Sequence, residues 1–189
     1  MARLLLSTIA CALAAGLLSN AALAGGGNYS FAGGTAAEQA QVRNALDASS
    51  FDWGFVREPV TIHIVRGIST SYSLRGSIWL DSDLLDAGRF SWGTVQMEYA
   101  QQVHFFLLDD AARAELTATL GGKDWCYETP GLARGDNACE RFAATLAWAY
   151  WQSPDNSMKP TSRSDWSAAM APAKFRALAS QLFAQQPAV

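Results

Sequence analysis

The stretch that decides the fold is Val95-Gln-Met-Glu-Tyr-Ala-Gln-Gln-Val-His-Phe-Phe-Leu-Leu-Asp-Asp110. It predicts a helix that follows Ser91 as a candidate cap and ends near Leu108. Each residue of an α-helix turns the chain by about 100°, so residues four apart are offset by only about 40°. Met97 and Gln101 therefore face the same side of this helix, and Glu98 stands beside the first of them.

That spacing is the spacing of the His-Glu-x-x-His motif, in which two imidazoles bind zinc and the glutamate holds the attacking water. In this frame Met97 takes the first ligand position, Glu98 the general-base position and Gln101 the second ligand position. A thioether is a soft ligand that favours Cu(I), and a neutral amide oxygen is a weak donor. The pattern therefore predicts a degenerate site, with no zinc expected and with doubtful catalysis by Glu98.

The residues around the motif carry a family resemblance. From Val60 to about Pro160 the chain resembles small secreted bacterial zinc metallopeptidases of the gluzincin type, on the strand at Val60, the strand ending Ile78-Trp79-Leu80-Asp81, the motif helix, and a helix opening Ala138-Cys139-Glu140-Arg141-Phe142-Ala143. The resemblance implies one α+β, zincin-like domain, with a short sheet packed on the motif helix and a mainly helical C-terminal half. It also implies that Glu140 matches the third zinc ligand.

Other polar residues near these positions have competing interpretations. Glu140 lies three residues after Asn137, so it can also close a capping box at a helix start. His104 lies three residues after Gln101 and returns to nearly the same helix face, but it is roughly 9 Å along the axis from Glu98. With His63 as the other histidine, a rescued two-histidine metal site is disfavoured. Both histidines remain candidates for the cleft.

The first 24 residues have no acidic side chain, place Arg3 before an apolar run and end Ala22-Leu23-Ala24. These features predict a Sec-type signal peptide that is cleaved after Ala24, and hence an exported, extracytoplasmic protein without a membrane anchor. Of the 165 residues that follow, 13 are basic and 17 acidic, a net charge of −4. Neither nucleic acid nor an anionic membrane is an expected partner.

After that cleavage the remaining cysteines are Cys126 and Cys139. In an oxidising compartment they are expected to form a disulfide. A thiolate metal pair is disfavoured, because the spacing is not Cys-x-x-Cys and no histidine lies nearby in the sequence. Trp125, next to Cys126, is the aromatic residue expected to reach the cleft.

The rest of the chain fits one domain over residues 35–189, preceded by a glycine-rich arm over 25–34 that is expected to be flexible. Thr35 and Glu38 form a capping-box pattern that predicts a helix to Ala48. Further segments are assigned by periodicity and by Gly and Pro signals: strands over 59–65 and 77–81, a polar loop over 67–76, and helices over 110–120, from Asn137 to before Pro154, and from near Pro172.

Four functions are compatible with these patterns. The leading hypothesis is a catalytically silent, zincin-like exported protein that binds a peptide or protein partner in the former cleft. The second is an active metal-dependent peptidase with non-standard ligands, zinc as its cofactor and Glu98 as general base. A metal-independent cell-wall glycosidase using Glu98 and Glu140 is the third. The fourth is a plain scaffold, which burial of Met97 would favour.

Overall fold

The computed structural model describes residues 27–184, so the predicted signal peptide and its cleavage site lie outside the described residues. Over this range the chain folds as a mixed α+β structure with a four-stranded sheet and six α-helices, which confirms the predicted fold class. No helix between residues 27 and 184 is both long and apolar enough to cross a membrane.

The sheet has the strand order β1-β2-β4-β3. Its strands are β1 (Tyr29–Gly33), β2 (Val60–Val65), β3 (Tyr72–Leu74) and β4 (Ser77–Asp81). The first three neighbours in the sheet run parallel, and β3 pairs antiparallel with β4 at the edge. The β-branched residues of β2 alternate as predicted: its first, third and fifth residues are buried, and the intervening ones are half-buried.

Two strands differ from the sequence predictions. The flexible arm predicted over 25–34 is wrong for residues 29–33, which form β1 and pair with β2 over their whole length. The polar loop predicted over 67–76 is also wrong at Tyr72–Leu74, which is β3. β1 forms its backbone hydrogen bonds with a strand that is distant in sequence, and β3 forms them with the next strand across a turn. Local composition carries no signal for such partners.

The helices are α1 (Ala36–Ala48), α2 (Ser82–Leu85), α3 (Trp92–Leu107), α4 (Asp110–Leu120), α5 (Ala138–Tyr150) and α6 (Pro172–Ala184). The capping box of α1 is confirmed, since Thr35 and Glu38 bond reciprocally. Gly121 ends α4 in the left-handed conformation, as expected past a helix end. Ser91 does not cap α3, because its hydroxyl donates instead to the Gly88 carbonyl at 2.7 Å.

The motif helix α3 is the centre of the molecule. It packs against α5, α1 and the β3–β4 hairpin, and every residue of α3 from Val95 to His104 is buried. Phe142 and Leu146 of α5 are fully buried, and each contributes roughly 1.5–3 kcal/mol by leaving water. This packing fixes α3 relative to α5, and therefore positions the glutamates of the two helices.

One polar side chain of α3 ties it to the edge of the sheet. Gln102 is fully buried, and its amide nitrogen donates to the Leu74 and Ser77 carbonyls at 2.9 and 3.2 Å. Its amide oxygen accepts from the Gly76 N–H at 2.8 Å. A single side chain thus satisfies three backbone groups of the β3–β4 turn, which holds β3 beside α3.

Candidate functional site

A pocket of about 560 Å³ opens where β3, α3, α5 and the loop between α4 and α5 meet. Its lining comes from all four segments: Thr70, Ser71, Tyr72, Ser73, Leu74, Glu98, Gln101, Phe105, Cys126, Tyr127, Arg134 and Glu140. The structure thus brings together Glu98, Gln101 and Glu140, three of the positions that the sequence singles out. The pocket is large enough for one or two amino-acid side chains and has ionisable groups in its wall.

Glu98 lies in the wall of this pocket with only 2% of its side chain exposed. Burial raises its pKa to about 7, and the Glu140 charge adds to the rise, while Ser73 and Arg134 oppose it. The Ser73 hydroxyl lies 2.8 Å from Oε2 of Glu98 and 2.9 Å from the Glu98 carbonyl oxygen. The single hydroxyl hydrogen of Ser73 is shared between these two acceptors, and its donation to Oε2 is what opposes the rise of the Glu98 pKa.

Arg134 lies between the two buried carboxylates. Its Nη2 is 3.6 Å from Oε1 of Glu98, and its Nε is 3.0 Å from Oε2 of Glu140. The second contact is a close ion pair that is not aligned as a hydrogen bond. The guanidinium also lies 5.3 Å from the Trp166 ring centroid, which gives it a cation–π contact. The Arg134 guanidinium is therefore the positive partner of both glutamates.

Glycine is required next to this arginine. A Cβ at Gly135 would lie 2.1 Å from Nε1 of Trp166, far inside contact distance. Residue 135 must lack a side chain for the tryptophan to pack this close to the Arg134 backbone. The Arg134–Gly135 pair thus sets the position of the cation over the ring.

Glu140 is 3% exposed at the first turn of α5, and its Oε1 accepts a hydrogen bond of 2.5 Å from the Tyr127 hydroxyl. Burial, reinforced by that hydrogen bond, raises the pKa of Tyr127. The capping box proposed for Asn137 and Glu140 is wrong, because Asn137 makes no side-chain cap. Asn137 instead donates to the Ala133 and Arg134 carbonyls and accepts from the Tyr127 N–H.

The predicted zinc-ligand positions do not form a zinc-binding set. Met97 is 3% exposed and belongs to the hydrophobic core, and it does not line the pocket. Gln101 lines the pocket but offers a neutral amide, so Glu140 is the one anionic donor of the three. Arg134, paired with Glu140, places a positive charge where a divalent ion would need a carboxylate. The donors present do not suit zinc.

Neither histidine lies in the pocket lining. His63 is on the outer face of the sheet, where its ring stacks on Trp79 at a centroid distance of 4.7 Å. His104 is 1% exposed, and burial lowers its pKa to about 3, so the ring is neutral. The structure thus corrects the expectation that they reach the cleft.

Trp125 does not line the pocket either. It is 8% exposed and packs its ring edge against His104 at 5.5 Å, with Phe142 as a second neighbour. The disulfide predicted between Cys126 and Cys139 is confirmed. The disulfide links the loop between α4 and α5 to the first turn of α5, next to Glu140.

Sequence reasoning missed Ser73, Tyr127 and Arg134 as site residues. Ser73 falls in a segment predicted to be loop, and the other two lie in a Gly- and Pro-containing loop without periodicity. A buried glutamate pair needs a positive partner, which is the one physical signal for a nearby arginine. That signal does not say which arginine supplies the charge.

Comparison with known proteins adds no relative: no protein-family model, no curated protein and no solved structure matches this chain.

Proposed function

We propose that this chain is an exported, zincin-like pseudoenzyme that binds a peptide segment in its pocket and does not hydrolyse it. The observation that carries the proposal is the Arg134 guanidinium between Glu98 and Glu140 in a pocket beside an edge strand. In the family that the sequence resembles, a metal ion and its water do the chemistry. Here a side chain supplies the positive charge, and a guanidinium cannot activate water as a metal ion does.

The edge strand β3 supports a peptide as the ligand. β3 is paired on one side with β4, so its other backbone edge has no strand partner within residues 27–184. Tyr72 and Leu74 are 44% and 57% exposed, and both line the pocket. An extended peptide can add to such an edge through backbone hydrogen bonds while one of its side chains enters the adjacent pocket. Leu74 and Phe105 favour an apolar side chain.

Peptide binding is tested with an immobilised set of extended octapeptides that vary in one central apolar residue. Leu74→Asp is expected to weaken the best binder at least about tenfold, since it puts a carboxylate into an apolar contact. Phe90→Asp is the matched control, because Phe90 is equally exposed at 56% and does not line the pocket. Equal loss in both variants, or no binder at all, overturns the peptide proposal.

The proposed relationship to zinc peptidases is tested by placing histidines at the two former zinc-ligand positions. Met97→His with Gln101→His is expected to bind zinc weakly, because residue 97 lies in the core outside the pocket lining and Arg134 keeps its positive charge between the carboxylates. Adding Arg134→Met to the pair is expected to raise zinc affinity by at least about tenfold, since it frees Glu140 as a ligand. Tight zinc and peptide cleavage in the unaltered protein would refute the pseudoenzyme proposal. Equal zinc affinity with and without Arg134→Met would refute the role given to the arginine.

One observation favours a second function, a metal-independent glycosidase. Glu98, with its pKa raised to about 7, fits a general acid, and a second carboxylate shares its pocket. Release of reducing sugars from peptidoglycan that disappears in Glu98→Gln would support this function over peptide binding. The absence of sugar release would remove it.

A third candidate, a plain scaffold, is favoured by the burial of Met97 in the core. It makes no use of the pocket, whose wall still includes Glu98, Gln101 and Glu140. The peptide assay separates the scaffold from the peptide-binding pseudoenzyme. A scaffold does not bind peptide in the pocket, so Leu74→Asp would change no peptide affinity. The non-standard metallopeptidase has no supporting donor set at this pocket.

A further inference from the structure

A second cluster of ligand-type atoms lies behind the pocket. The sulfurs of Cys126 and Cys139 and a ring nitrogen of His104 all lie within 4.8 Å of one another. The three residues come from the α4–α5 loop, the first turn of α5 and the last turn of α3. The sequence argument against a thiolate metal pair rested on the lack of a Cys-x-x-Cys spacing and of a nearby histidine, and the fold removes the second objection.

The histidine of this cluster is unusual among the buried polar groups. His104 is 1% exposed, and neither of its ring nitrogens has a hydrogen-bond partner among the described residues. A buried imidazole that forgoes both hydrogen bonds loses roughly 1–3 kcal/mol for each unpaired group. Such a ring beside two sulfur atoms has a nitrogen that is free to bind a metal ion.

The two cysteines are held together by more than their covalent bond. The Cys139 N–H donates to the Trp125 carbonyl at 2.8 Å, and the Ala138 N–H donates to the Asp124 carbonyl at 3.0 Å. The Tyr127 N–H donates to Asn137 Oδ1 at 2.7 Å on the other side of Cys126. These bonds tie the loop to α5 on both sides of the cysteine, so the two thiols remain neighbours when the disulfide is opened.

We propose that reduction of the Cys126–Cys139 disulfide creates a Cys2His zinc site with His104 as its third ligand. A dithiol reductant supplies two electrons and two protons, which break the S–S bond and leave two thiols, while the reductant becomes a disulfide. Zn²⁺ then binds both sulfurs and one imidazole nitrogen, and the two thiol protons are released to solvent.

The geometry needs only a small adjustment. In a tetrahedral zinc site the Zn–S and Zn–N bonds are about 2.3 and 2.0–2.1 Å, which places ligand atoms roughly 3.5 Å apart. Once the S–S bond is broken, the two sulfurs must separate by about 1.5 Å from their bonded distance, and the imidazole nitrogen, which lies within 4.8 Å of both, must approach by up to about 1 Å. Rotation of the three side chains can supply both shifts. Cys126 lines the pocket, so reductant and ion reach the cluster from there. Three protein ligands leave the fourth zinc position for water or another ligand.

The test uses the full chain with Cys11→Ser as background, so that the disulfide pair supplies the only cysteines. The protein is reduced under anaerobic conditions, separated from reductant and titrated with Co²⁺, whose absorption reports thiolate and tetrahedral coordination. We expect one equivalent to bind with a sulfur charge-transfer band and to be displaced by Zn²⁺. The oxidised protein is expected to bind no Co²⁺ and to show no charge-transfer band.

His104→Phe keeps a ring of similar bulk beside Trp125 and removes the nitrogen ligand, so it is expected to weaken Co²⁺ binding at least about tenfold. His63→Phe on the outer sheet face is the matched control and is expected to change nothing. Glu98→Gln is also expected to leave binding intact, which separates this site from the glutamate pocket. Cys139→Ser, a second ligand variant, is expected to abolish the charge-transfer band.

Three outcomes overturn the proposal: no Co²⁺ binding by the reduced chain, equal binding by His104→Phe, or binding lost in Glu98→Gln. Loss of the near-ultraviolet circular dichroism signal on reduction also overturns it, because the site requires the fold. The site does not depend on the function proposed above, and peptide binding by the oxidised protein neither supports nor weakens it.

Discussion

Replacing Glu98 by glutamine removes one buried ionisable group and keeps an amide of similar shape in contact with Ser73. The folded-state pKa of Glu98 is about 7, against 4.5 for an ordinary glutamate, and burial is the main cause. Between those two values the folded protein holds a proton that the unfolded chain has released. The contribution of Glu98 to stability therefore falls as pH rises from about 4.5 to about 7, and it is flat above that. Glutamine cannot ionise, so its contribution to stability does not fall as pH rises.

The size of the effect follows from the difference between the two pKa values. Each pKa unit corresponds to about 1.4 kcal/mol, so complete ionisation of the buried group costs roughly 3 kcal/mol. We therefore expect Glu98→Gln to gain about 3 kcal/mol of unfolding free energy relative to the unaltered protein between about pH 4 and about pH 8. Titrating groups that do not contact Glu98 contribute equally to both proteins and cancel in this difference.

The assay is urea unfolding followed by tryptophan fluorescence in both proteins across that pH range. Glu115→Gln is the matched control, because it makes the same chemical change at an exposed position of α4. Its difference from the unaltered protein is expected to stay constant with pH. A Glu98→Gln difference that varies by less than about 0.5 kcal/mol over the range would refute the argument that Glu98 is a strained, buried carboxyl.

Three further substitutions test other parts of the site and its support. Arg134→Met leaves two buried carboxylates without their cation, so the unfolding free energy measured in urea is expected to fall by about 3–5 kcal/mol at alkaline pH, and by less under acidic conditions. Gly93→Ala places a Cβ 2.0 Å from the Asn156 side-chain oxygen, and we expect it to lower stability by about 1–3 kcal/mol by the same measurement; a neutral result would contradict the tight packing of α3 there. Gln102→Leu removes the side-chain hydrogen bonds to three backbone groups of the β3–β4 turn, so a loss of about 2–4 kcal/mol and faster amide exchange in β3 are expected; unchanged exchange would contradict the role of Gln102 in holding β3 beside α3.

Helices were predictable from local signals. The reciprocal bonds between Thr35 and Glu38, and the left-handed Gly121 after α4, act within a few residues of the helix end that they define. β1 was missed because it lies between two groups of glycines and is ordered by pairing with β2, some 30 residues later. Short strands of this kind depend on partners that a local pattern does not contain.

The candidate site was predictable only in its helical part. Helical geometry correctly placed Glu98 and Gln101 towards one pocket, and the family resemblance added Glu140. Arg134 and Tyr127 come from an irregular loop, where no periodicity relates a residue number to a direction in space. His104 was placed on nearly the same face as Gln101, yet it is turned towards the disulfide, because residues three apart on a helix differ by about 60°.

The charge balance of the pocket links its two main features. A divalent ion would balance both glutamates, whereas the guanidinium of Arg134 carries a single positive charge and balances one. Glu140 has the closer ion pair, at 3.0 Å against 3.6 Å for Glu98, and the Tyr127 hydrogen bond in addition. Glu98 is therefore the carboxyl left without full compensation, and a buried acid in that position takes up a proton rather than keep its charge. Burial, which a single positive charge only partly offsets, thus accounts for the raised pKa of Glu98. It follows that any ligand bringing a second positive charge into the pocket should release the Glu98 proton as it binds.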